Sequence, residues 1–166
     1  MLRQRPILSD EQRIRLATAC LDNCLHLLNE SELLVHHGAL PYAQFLVGAA
    51  YEEVLKATYC IDEGAPTWKA WWHGFRSHKT KLDLAGRYWA DLPPDSTRRL
   101  LDLRERCLYV EVKADGEPLT PRGLVDPGGL DANFILGWSR WIKSEGRATL
   151  ERLVPPLKFT LPSIGD

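Results

Sequence analysis

The sequence has no long apolar run. Its longest, residues 45–51, is 7 residues, and a membrane-crossing helix needs about 20. Residues 1–8 are basic but carry no hydrophobic stretch, so no secretory leader is expected and the protein is assigned to the cytoplasm. Net charge is nearly absent: 21 Lys and Arg stand against 22 Asp and Glu, for a formal −1. The 4 cysteines (Cys20, Cys24, Cys60, Cys107) form no C-x-x-C pair and no zinc spacing. They are expected as small buried hydrophobes in a reducing compartment. Low-complexity segments, internal repeats and long linkers are also missing. With 45% apolar residues over 166 positions, the chain can bury a real core. A single domain over residues 1–166 is expected, with irregular ends at 1–8 and 154–166.

What is present is unevenly distributed. Four of the 6 Trp (Trp68, Trp71, Trp72, Trp89) fall between residues 67 and 89. Residues 67–106 hold 9 basic and 5 acidic side chains, a net +4 that leaves −5 for the remainder. A locally basic surface suits an anionic partner such as nucleic acid.

Helical signals dominate. Ser9-Asp10-Glu11-Gln12 has the form of a capping box, and Ile14, Ala17, Leu21, Cys24, Leu25 and Leu28 follow at helical spacing. A first helix is therefore expected from about residue 10 to Glu32, with His36-His37-Gly38 as a loop. Pro41 suits the first turn of a second helix that ends near Asp62, ahead of Gly64 and Pro66. A third helix is expected from Thr67 to Trp89, bending at Gly74, with the stripe Trp71, Phe75, His78, Leu82, Ala85 and Trp89. Pro93-Pro94 ends it, and Asp95 or Ser96 caps a fourth helix facing inward with Leu100, Leu103, Cys107 and Leu108. Val110 and Val112 alternate with Glu111 and Lys113 before Asp115-Gly116, which signals a small hairpin or extended insert near residues 109–126. A fifth helix should occupy residues 130–153. The fold class is all-α: an antiparallel helical bundle of four to five helices with that insert.

Three polar residues interrupt the core stripes. Leu46, Ala50, Ala57 and Ile61 centre the apolar face of the second helix, and Glu53 falls among them, with Glu52 and Lys56 on the flank. His78 lies between Phe75 and Leu82, with Lys81 beside it, and Arg104 lies among Leu100, Leu103 and Cys107. A buried carboxylate requires a cation or several donors, so mutual satisfaction predicts that Glu53, His78 and Arg104 converge. Plainer explanations exist. Glu52 and Lys56 can form an ordinary helical pair on a solvated face. Glu53 can sit in a structural ion pair, and a His on an apolar face is commonly a satisfied core residue.

At these positions the sequence resembles AbiV-type abortive infection proteins of the HEPN-like superfamily. Residues 42–56, an alanine-rich helix closing on Glu52-Glu53-Val54-Leu55-Lys56, resemble their E-E-x-x-K helix. Phe75-Arg76-Ser77-His78-Lys79-Thr80-Lys81 resembles their f-x-x-H-K-x-K segment. Arg104-Glu105-Arg106-Cys107-Leu108-Tyr109-Val110-Glu111 resembles R-x-x-x-L-Y-V-D, with Glu111 in place of Asp, and Gly116-Glu117-Pro118 fits the stretch that follows. Together these cover roughly residues 15–125. The resemblance implies an antiphage effector, and many members of the superfamily are dimeric, metal-independent ribonucleases with an R-x(4–6)-H signature. This chain has no such motif; its nearest match is Arg104 to Tyr109, R-x4-Y. Tyrosine, with an ordinary pKa of about 10, is a weak base at neutral pH.

On the resemblance, an RNA-binding or RNA-cleaving effector would use Glu53, His78, Arg104 and Tyr109 as its catalytic set. Glu52, Lys56, Lys81 and Arg106 would contact substrate. His78 would act as acid and base, Arg104, Arg106, Lys56 and Lys81 would clamp phosphate, and Glu53 would orient His78 or Arg104. The alternative is a non-catalytic protein-interaction module of phage defence, in which the same Glu/His/Arg set only fixes helix register. A metal site from Glu52 or Glu53 with His73, His78 and Asp83 lacks the E-x-x-H pairs of di-metal bundles. No cofactor and no metal are expected. The expected partners are a second copy of the chain, RNA and a phage protein trigger, with no membrane.

Overall fold

The computed structural model describes residues 8–62, 67–89, 94–107, 111–112, 118–119, 131–148 and 151. Within them the chain is all-helical apart from one tiny ladder. The elements are α1 (Asp10–His36), α2 (Leu40–Asp62), α3 (Trp68–Arg76), α4 (His78–Tyr88), α5 (Pro94–Arg106), β1 (Glu111–Val112), β2 (Pro118–Leu119) and α6 (Ala132–Trp141). A π-helical turn, Ile142–Gly146, continues α6. Among the described residues no helix is long and apolar enough to cross a membrane.

The capping box forms as the sequence predicts. Ser9 Oγ accepts from the Gln12 amide at 3.2 Å, and the Gln12 side chain accepts from the Ser9 amide at 2.8 Å. The far end of α1 differs from expectation, because the helix runs four residues past Glu32 to His36. Gly38 takes φ +72, which a residue without Cβ adopts at no steric cost. The Ala39 amide then reaches Leu34 O at 2.9 Å and the Gly38 amide reaches Val35 O at 3.0 Å. This Schellman closure satisfies the last carbonyls and turns the chain directly into α2. Ser31 Oγ, fully buried, donates to Ala43 O at 3.0 Å and ties the two helices together.

The expected long third helix is two helices. Ser77 adopts extended backbone (φ −75, ψ 120), ending α3 and capping α4 by accepting from the Thr80 amide at 3.2 Å. Local serine capping therefore wins over the continuous apolar spacing. Gly74 is not the bend. A Cβ there would run into the Tyr59 hydroxyl, with Tyr59 Cζ only 2.6 Å away, so this glycine lets α3 press against α2. The fourth expected helix is α5, which starts with Pro94 at its first position, where a missing N–H costs nothing. The expected insert contributes the β1–β2 pair, antiparallel with Glu111 opposite Leu119 and Val112 opposite Pro118. Its turn lies outside the described residues, as do the two expected irregular ends apart from Leu8. The last helix does not run regularly to residue 153. It passes through the π turn, where Ser144 Oγ bonds back to Arg140 O and Trp141 O.

Helix α2 is central and touches all five other helices. One core cluster joins Cys24, Leu28, Val47, Tyr51 and Leu55 to Trp89, Leu100, Ile135 and Trp138. Around the fully buried Tyr51, the rings of Trp89, Trp138 and Trp141 lie at centroid distances of 5.7, 5.8 and 6.4 Å. A second cluster packs Ala17, Cys20, Tyr59, Cys60, Trp71 and Phe75. The Trp residues between 67 and 89 are thus divided, with Trp71 and Trp89 in different cores. The cysteines are buried as expected. Burial, and then the nearby Glu53 carboxylate, push the Cys20 thiol up to about 12; burial does the same for Cys24 and Cys60.

Substituting Gly74→Ala should lower stability by about 1–3 kcal/mol, the range for overpacking a rigid contact, read as a shift in urea midpoint. An unchanged midpoint would show that α3 and Tyr59 are not in forced contact.

Candidate functional site

Three charged side chains from three helices, Glu52 of α2, Lys81 of α4 and Arg104 of α5, meet at one ridge of α2. Gly48 makes the meeting possible. A Cβ at this position would stand 2.7 Å from Arg104 Cβ, so α5 can lie against α2 only because glycine is there. One turn further along α2, Glu52 Oε2 receives Arg104 Nη1 at 2.6 Å, a short charge-assisted contact. Lys81 from the first turn of α4 lies 3.9 Å from the same oxygen. Side-chain exposures are 10% for Glu52, 17% for Arg104 and 3% for Lys81. Also on this ridge, one turn before Gly48, Gln44 is fully buried, and neither amide atom has a hydrogen bond among the described residues.

The ionisation of Lys81 is disturbed by this placement. Burial lowers its pKa from the ordinary lysine value; Glu52 opposes that shift, while Lys56 and Arg104 add to it. An ammonium in this position is therefore held mainly by Glu52, which it shares with Arg104.

The carboxylate that Arg104 reaches is Glu52, not Glu53 as the stripe predicts. Glu53 turns the other way, pairing with Lys56 Nζ at 2.6 Å near the Cys20 thiol of α1, whose pKa its charge helps to raise. The reason is the position of α2. A helix surrounded on all sides has no single apolar face, so a stripe centre does not identify the innermost carboxylate. Lys56 also lies 5.9 Å from the Phe75 ring centroid, beneath α3. His78 occupies the first helical position of α4, but its side chain lies outside the described residues. The same is true of the Arg106 side chain at the end of α5 and of Tyr109. Of the expected set, the structure therefore joins Glu52, Lys81 and Arg104, and separately Glu53 and Lys56. Among the described residues no three His, Cys, Asp or Glu side chains gather as a metal site requires; His73 is exposed on α3 instead.

A second polar feature escaped the stripe argument. The outer face of α3 borders a cavity of about 750 Å³ lined by Lys69, Trp72, His73, Arg76 and Ser77, among others. Its only sequence signal is an aromatic-x-x-aromatic-Arg run, Trp72 to Arg76, inside the Trp-rich stretch.

Removing Arg104 should be costly, because Glu52 would stay buried without its main cation. Arg104→Met is expected to lose about 3–5 kcal/mol, and adding Glu52→Gln to that variant should recover part of the loss. Equal stability of Arg104→Met and wild type in urea titrations would refute the pairing. Lys81 makes a separate prediction. Its pKa is lower folded than unfolded, so the burial cost is fully present below the folded value. Stability is regained as pH rises from there toward the unfolded value. Lys81→Met should remove that alkaline rise, and a stability–pH curve parallel to wild type would count against it.

The profile of the AbiV family, a HEPN family, matches residues 12–101, from α1 through most of α5. The match includes Glu52, Glu53, Lys56, His78 and Lys81 and stops short of Arg104. No curated protein and no solved structure matches the chain. With more than half of its length under that profile, the chain belongs to the AbiV family of HEPN domains.

Proposed function

We propose that this protein is an abortive-infection effector that works by binding RNA through the cationic surface of α3, α4 and α5. Family membership suggests the antiphage role. The observation that carries RNA binding is charge exposure. Among the described residues, Lys69, Arg76, Lys79, Arg87, Arg98 and Arg99 are exposed on these helices, against the carboxylates of Asp83 and Asp102 alone. On α1 the balance reverses, with Asp10, Glu11, Asp22 and Glu30 exposed beside Arg15 and no other exposed Lys or Arg. A segregated positive surface attracts a polyanion and releases its counterions on binding.

The Glu52–Arg104–Lys81 network then serves as framework, since Glu52 and Lys81 are nearly inaccessible to a phosphate. RNA cleavage is the second reading, favoured by Arg104. Its side chain keeps 17% exposure near the end of α5, five residues ahead of Tyr109. A homodimer and a phage-protein trigger belong to the same proposal. Leu33 and Tyr42, 58% and 60% exposed on either side of the α1–α2 connection, offer apolar surface for a second copy.

Purified protein should bind short single-stranded RNA with an affinity that falls steeply as salt rises. The paired reversal Lys79→Glu with Arg98→Glu should weaken binding at low salt by at least about tenfold and flatten the salt slope by roughly 0.7 per lost contact. Absence of binding at low salt would overturn the proposal. RNA recovered at full length after prolonged incubation, with the trigger present, would leave binding and remove cleavage.

A further inference from the structure

We infer that the outer face of α3 grips the phosphates of an RNA strand with Lys69, His73 and Arg76, and that Trp72 is the post on which the Arg76 guanidinium is held. The inference rests on the RNA-binding reading above and names the side chains that take the strand's backbone.

Spacing puts the three donors in line. They are four and three residues apart, so at 3.6 residues per turn they fall within an arc of about 60° and along about 10 Å of helix. All three are exposed and border the cavity of about 750 Å³, whose described lining contains no carboxylate. None of them is in an ion pair among the described residues. Exposed arginines elsewhere differ: Arg15 pairs with Glu11, and Arg147 with Glu151. Helix α3 itself carries no Asp or Glu. Such a helix is poorly arranged for its own stability. Lys69 in the first turn opposes the macrodipole, and cations three and four residues apart repel. A bound anion on this face offsets both effects, whereas an apolar or cationic partner would relieve neither.

Arg76 is also presented in advance. Trp71 and Phe75 stack at 5.1 Å with 17° between their planes, and Phe75 and Trp72 at 5.6 Å with 14°. Trp71 and Phe75 are buried at 1% and 9% exposure and anchor this column in the core. The Arg76 guanidinium lies over the Trp72 ring, 5.8 Å from its centroid. Trp72 is therefore occupied by α3's own side chains, and its part is to position the arginine. A guanidinium laid on a ring keeps its five N–H donors in its own plane, directed away from the ring. Held this way, the fork loses less rotamer freedom on binding and can meet phosphate oxygens bidentately. Lys69 adds a compact charge, and His73 adds a ring N–H. A single small anion cannot reach donors spread along about 10 Å of helix, whereas a strand offers phosphates in series.

The test measures binding of a fluorescein-labelled short single-stranded RNA to the full chain by anisotropy. Lys69→Ala with Arg76→Ala should reduce the salt slope by roughly 0.7 per lost phosphate contact. Trp72→Leu should weaken binding about threefold, the worth of one exposed cation–π contact, and Trp72→Tyr should restore it. In an Arg76→Ala background, Trp72→Leu should have no further effect; an undiminished effect there would overturn the positioning role. If Trp72→Leu does not fold, the Lys69/Arg76 pair decides. An unchanged affinity and slope for that pair, with Lys79→Glu/Arg98→Glu still weakening binding, refutes this site and leaves the RNA-binding reading standing. No wild-type binding at low salt refutes both. Inorganic phosphate or polyglutamate competing as well as the unlabelled oligomer would replace the strand with a free anion or an acidic protein segment and overturn the proposal.

Discussion

Burying the Glu52 carboxylate on a helix enclosed by its neighbours commits three helices at once. An ionised carboxylate in a low-dielectric interior is tolerable only with cations at contact distance. They come from α5 as Arg104 at 2.6 Å and from α4 as Lys81 at 3.9 Å. Arg104 could not arrive without the missing Cβ at Gly48, which lets its stem lie against α2. The network thus couples the register of α5 on α2 to the position of the first turn of α4. A hydrophobic trio could give similar stability, but it would not discriminate among registers so sharply.

The second constraint is the break at Ser77. A continuous helix over residues 68–88 would have to place one stripe against one surface. By closing α3 and capping α4 with the same serine, the chain gives each segment its own orientation. Lys81 can then be buried in α4, while Trp72, His73 and Arg76 remain exposed on α3. The aromatic residues follow the same division: Trp71 supports α3 from the core that holds Tyr59, whereas Trp89 packs with Tyr51 and Trp141 in the other.

These two constraints separate framework from working surface. The charges most deeply placed, Glu52 and Lys81, answer one another inside the bundle and have little access to solvent. The charges that remain exposed are mostly positive on α3 to α5 and mostly negative on α1. A neutral total therefore conceals a protein with a cationic side.

The Ser9 capping box, the Pro41 start of α2 and the pairing of β1 with β2 were legible in the sequence because each depends on a few adjacent residues. So were the all-α class and the uneven charge, which need only periodicity and counting. The polar intrusions into the helices were legible as a problem to be solved, and Arg104 was legible as part of the answer. The choice of Glu52 over Glu53 was not, because two adjacent residues on a helix point about 100° apart and only the neighbouring helices decide which direction is inward. Gly48 and Gly74 were equally silent, since a close approach is a property of two helices and not of one. The sequence by itself determined the helices and their charges; the tertiary structure alone decided which charges meet, because burial is set by whatever packs against a residue from elsewhere in the chain.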